Sequence, residues 1–103
     1  MKPLMYGYVR VADEAQDDEI NQTEGALRSF ADTEGYCYAT TFYEHQSGSH
    51  AAFEELTEEL QRADAHYVVV LSLDHVSRHP LLRSHMLRRL EAHANALVLT
   101  VEP

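Results

Sequence analysis

Four short apolar runs, each separated from the next by a stretch of helical periodicity, leave this chain few folds to choose from. Residues 4–11, Leu-Met-Tyr-Gly-Tyr-Val-Arg-Val, are aromatic and β-branched, as a buried strand requires. From about residue 14 to 34 the apolar positions Ile20, Ala26, Leu27, Phe30 and Ala31 recur at helical spacing, and Gly35 supplies a stop. Residues 37–43 form a second strand candidate, followed by the turn signal Gln46-Ser47-Gly48-Ser49. Ala52, Phe53, Leu56, Leu60 and Ala63 then make one helical stripe, with Glu54, Glu55, Glu58 and Glu59 mostly on the other side. Residues 66–73 read as a third strand. Pro80 suits a first helical position, with Leu82, Met86 and Leu90 repeating behind it, and residues 96–101 read as a fourth strand.

The resulting order is βαβαβαβ. Strands joined through single helices are most simply parallel with right-handed crossovers. Continuous apolar strands fit a sheet covered on both faces. The expected fold is an open, mostly parallel four-stranded sheet with helices on both faces, a three-layer α/β domain of flavodoxin-like type over residues 1–103. Such sheets bind ligands at the carboxyl ends of their strands. Three polar segments should meet there: Arg10 to Asp13, Glu44 to His50, and Asp74 to His79.

Charge narrows the function. The net charge is −9, spread as −10 over residues 1–64 and +1 over 65–103. An acidic surface repels a polyanion, so the chain is expected not to bind DNA by itself. No apolar run is long enough for a membrane span, and residues 1–8 do not look like a signal peptide. Cys37 is the only cysteine, which rules out an internal disulfide and fits a cytoplasmic setting; it is expected to act as a small buried hydrophobe. A chain of 103 residues buries a modest core, so its stability is expected to be marginal or shared with a partner.

The same three segments carry a resemblance. Tyr6-Gly7-Tyr8-Val9-Arg10-Val11 is similar to the opening strand of the serine-recombinase (resolvase/invertase) catalytic domain, usually Y-x-R-V-S. Glu44-His45-Gln46-Ser47-Gly48 resembles that family's acidic-x-x-S-G segment. Leu73-Asp74-His75-Val76-Ser77-Arg78 resembles its L-D-R-L-x-R signature, and Glu24 to Ala31 resembles its first helix. The resemblance spans essentially the whole chain. It implies chemistry in which a serine hydroxyl attacks a DNA phosphodiester and guanidinium groups hold the negative charge of the transition state.

Carried over position by position, the resemblance gives a partial set. Arg10 stands at the first-strand arginine, Tyr8 at the preceding aromatic, Ser47 at the loop serine, and Asp74 and Arg78 at the acid and last arginine of the third signature. The nucleophile position is Ala12, which has no hydroxyl. His75 replaces the middle arginine, Phe53 stands where the second segment usually has an arginine, and Gln22 or Thr23 falls at the first helix's glutamine. The expectation is a catalytically inactive, recombinase-like pseudoenzyme serving as a protein-binding or regulatory module. The alternative is a truncated or substituted N-terminal domain of a site-specific DNA recombinase. Relatives that cut DNA continue into a dimerisation helix and a DNA-binding domain, which these residues do not include.

Other readings carry less. A nucleotide binder on such a sheet would need a glycine-rich loop, and the four glycines do not supply one. Ser47 as a substitute nucleophile competes with a simple helix start capped by Ser49 or His50. The seven histidines lack metal-ligand spacing, so neither metal nor cofactor is expected. Arg10, Asp74 and Arg78 form either a structural ion-pair network or a surviving anion pocket. Arg83, Arg88 and Arg89 make either a solvated helix face or a contact for an acidic partner, a second copy included.

Overall fold

The computed structural model describes residues 2–45 and 50–102. Strands β1 (Leu4–Val11), β2 (Cys37–His45), β3 (Tyr67–Val70) and β4 (Leu97–Thr100) alternate with helices α1 (Asp17–Glu34), α2 (Ala51–Ala63) and α3 (Pro80–Ala94). All strand pairs are parallel, in the order β2-β1-β3-β4. This is the expected open, flavodoxin-like α/β sheet, with β1 inside it. Among the described residues no helix is long and apolar enough to cross a membrane.

The two-residue period of β1 sorts its side chains between two cores. Tyr6 and Tyr8 join Phe53, Leu56 and Leu60 of α2 and Met86 and Leu90 of α3. Met5, Val9 and Val11 face the other way, onto Leu27 and Ala31 of α1. Each fully buried aliphatic side chain contributes roughly 1.5–3 kcal/mol. Arg10 follows Tyr8 at the same two-residue spacing, so the strand's own geometry carries a polar position to the end of that face.

Gly7 is required by a close approach. A Cβ there would collide with the Tyr38 hydroxyl, which is bonded at 2.6 Å to Thr41 Oγ1. The register shifts at the same place: Met5 pairs with Tyr38 but Gly7 with Thr41, so Ala39 and Thr40 both stand opposite Tyr6. This is a β-bulge on an edge strand.

Several boundaries differ from expectation for local reasons. Helix α1 starts at Asp17, because the Ala15 amide bonds the Ala12 carbonyl in a turn. Asp17, Asp18 and Glu19 then fill its first turn, where the helix dipole favours carboxylates. It ends as expected at Gly35, whose φ of 87° is left-handed. Strand β3 stops at Val70, and Leu73–His75 form a 3-10 turn. The Arg10 amide, which a longer β3 could have met, donates instead to His75 Nδ1 at 3.1 Å. Cys37 is exposed, contrary to expectation, because it opens an edge strand.

Candidate functional site

A cleft of about 240 Å³ opens at the carboxyl ends of β1 and β3. Arg10 and Ala12 reach it from β1, Asp74 and His75 from the 3-10 turn, Arg78 from the loop before α3, and Glu102 from beyond β4. The Glu102 amide donates to the Leu71 carbonyl at 2.9 Å, which fixes its backbone at the rim. Position 12 therefore shares one cleft with residues 10 and 78.

Arg10 is held at one end. Its Nη2 donates to the Val76 carbonyl at 3.2 Å and lies 3.4 Å from His50 Nδ1. Its Nε is buried and has no acceptor among the described residues. His75 cannot replace a third guanidinium. Its Nδ1 accepts the Arg10 amide, so the neutral ring carries its proton on Nε2. Burial pushes its pKa below the ordinary histidine value, with nearby Asp74 partly opposing and Arg10 adding to the shift.

Asp74 does not link Arg10 to Arg78. Its partner is Arg83, at 3.5 Å, and its side chain remains 69% exposed. Of the two readings of Arg10, Asp74 and Arg78, the ion-pair network is absent among the described residues, because Arg83 of α3 is the arginine within reach of Asp74. Arg78 has no ion-pair or hydrogen-bond partner among the described residues. The basic face of α3 is also smaller than its sequence implies, because Arg89 pairs with Glu54 at 3.0 Å.

One expected site residue lies elsewhere. Tyr8 is fully buried, and its hydroxyl donates to Glu44 Oε1 at 3.0 Å. Burial first, and the Glu44 charge second, push the phenol well above its ordinary pKa and keep it a donor. Glu44, itself 4% exposed, also accepts the amides of Ala52 and Phe53 at 3.3 and 3.2 Å. Helix α2 begins after His50, but His50 makes no side-chain cap; Glu44 does that work from the preceding strand. Phe53 is a core residue edge-on to Tyr8. Ser47 and Ser49 lie outside the described residues. Thr23 bonds the Glu19 carbonyl of its own helix at 3.0 Å.

The sequence placed Glu44 and His50 in a converging segment, Glu44 as the acid of the acidic-x-x-S-G motif and His50 as a helix cap, but neither reading foretold the bonds they make. Glu102 carried no motif, and only its position beyond β4 marks it.

The sequence matches the family described as "Resolvase, N terminal domain" over residues 5–102. The chain belongs to the resolvase N-terminal domain family. Solved structures agree on the fold. This resolvase-family domain is similar to the C-terminal catalytic domain of ISC1926 TnpA, an IS607-like serine recombinase. That match has a TM-score of 0.80 and 14% identity, and covers 97% of this chain and 69% of that one. The C-terminal catalytic domain of IS1535 TnpA, also IS607-like, matches with a TM-score of 0.73 at 16% identity, covering 96% and 71%. The N-terminal catalytic domain of TP901-1 integrase matches with a TM-score of 0.74 at 18% identity, covering 95% and 76%. No curated protein matches the chain significantly.

Proposed function

We propose that this resolvase-family domain does not cut DNA and serves as a protein-binding or regulatory module of the cytoplasm. The observation that carries this is Ala12 lining the cleft beside Arg10 and Arg78, at the position where the family places its attacking serine. A methyl group cannot form a bond to phosphorus. The surroundings support the same reading. His75 supplies a neutral ring where the family's signature has a guanidinium, which removes a fixed positive charge from any transition state. Nor is that ring placed to attack: its acceptor nitrogen is occupied by Arg10, and the other nitrogen holds a proton. The net charge of −9 disfavours unaided approach to a polyanion.

Incubation with supercoiled DNA, followed by denaturing electrophoresis, tests this reading. No covalent protein–DNA band is expected from the natural chain or from Ala12→Ser, because the variant still lacks the third guanidinium. A band from the natural chain would overturn the reading. A band from Ala12→Ser alone would favour a second reading, a substituted recombinase domain, which Arg10 and Arg78 in one cleft already support.

A further inference from the structure

We propose that the cleft between Arg10 and Arg78 takes an acidic side chain with a basic neighbour, presented by a protein partner. The acid is held by the two arginines, and the base by Asp74 and Glu102. This assignment rests on the reading that the domain works by binding protein, and it names the partner's chemistry.

The first support is unmet hydrogen-bonding capacity. Arg10 bonds the Val76 carbonyl and approaches His50 through Nη2, and its charge also acts on the Tyr8 phenol, but its buried Nε has no acceptor among the described residues. Native proteins leave few such donors unpaired, and those they leave call for a partner. Arg78 is exposed at the same cleft and uncommitted. Two guanidiniums suit a carboxylate, whose planar oxygens match their planar N–H forks.

The second support is charge balance, which separates a carboxylate from a phosphodiester. With the His75 ring neutral, the cleft walls carry two guanidiniums and two carboxylates, Asp74 and Glu102. No net positive charge remains to draw in a polyanion. An acid beside a base meets both signs at once. Asp74 is free to serve because its link to Arg83 is long, 3.5 Å, and its side chain is 69% exposed. A volume of about 240 Å³ admits side chains and excludes a folded surface.

The test is amide-resolved NMR titration of the whole chain with three probes: acetyl-Glu-Lys-amide, acetyl-Gln-Lys-amide and dimethyl phosphate. The Glu-Lys probe is expected to move the amides of Arg10, Ala12, His75 and Arg78, and to bind about tenfold or more tightly than either other probe. Arg78→Ala should weaken it by about tenfold, the worth of one charge-assisted contact. Asp74→Asn should weaken it less. No other part of the fold among the described residues bonds to Arg78, so the Arg78→Ala variant should remain folded. Equal or tighter binding of dimethyl phosphate would overturn the assignment. So would the absence of shifts at the cleft, or shifts that survive Arg78→Ala. A covalent band in the DNA assay would instead remove the protein-binding reading beneath it, so the two failures are told apart.

Discussion

Tyr8 and Arg10 stand two residues apart on the same face of β1, yet their surroundings follow opposite rules. Tyr8 belongs to a closed polar centre. Its hydroxyl, the Glu44 carboxylate and the first amides of α2 bond one another, and the group is buried. Arg10 belongs to an open one, with an unpaired Nε, an uncommitted Arg78 beside it and carboxylates at the rim. Saturated polar groups stabilise a fold, whereas unsaturated ones at a cleft are available to a ligand. The contrast separates family positions that build this domain from those that face outward to recognise something.

The largest effect should come from breaking the closed centre. Glu44→Ala strips the cap from α2 and strands the buried Tyr8 hydroxyl, and should cost roughly 2–4 kcal/mol in urea unfolding. A loss no greater than that of a surface substitution would erase the distinction between the two centres. Arg10→Met should cost about 1 kcal/mol in the same measurement, because one bond to the Val76 carbonyl is lost while an unpaired donor goes with it.

Acid should act on the open centre through His75. Its folded pKa lies below 6.5, so its contribution is fully present above pH 6.5 and is lost as pH falls through the folded value. A proton on Nδ1 would face the Arg10 amide donor. Unfolding followed from pH 7.5 to 5 should show a decline that His75→Asn flattens; an unchanged slope would take His75 out of the account. The smallest effect is expected from Arg78→Ala, within about 0.5 kcal/mol by urea unfolding, since nothing in the described fold leans on it.

The sheet was legible because strand and helix leave different periods, two and 3.6, in the apolar residues. Gly35 was legible as a stop because few residues other than glycine accept a left-handed φ. The run after Val70 misled, because Leu71 and Leu73 look strand-like and nothing local reveals that the His75 ring takes the amide of Arg10. The cleft was legible as three segments converging at strand ends. Its wiring was not. His50 approaching Arg10 joins residues 40 apart, which no short window contains; Glu44 capping α2 and Asp74 choosing Arg83 join residues eight or nine apart, but across a turn whose path the sequence does not spell out. The bulge at Ala39 and Thr40 escaped for the same reason, since register belongs to the pair of strands.

The position of β1 within the sheet has a consequence for synthesis. Of the four strands it is made first, yet its two neighbours are β2, ending at His45, and β3, ending at Val70. One backbone edge of this apolar strand therefore waits until α1, β2 and α2 have all been made before β3, its native neighbour, exists. Loop closure over such separations slows folding, and an unpaired apolar strand is open to wrong partners while it waits. Newly made chains should be most vulnerable to aggregation in that interval, and holding factors that bind extended apolar segments should act then.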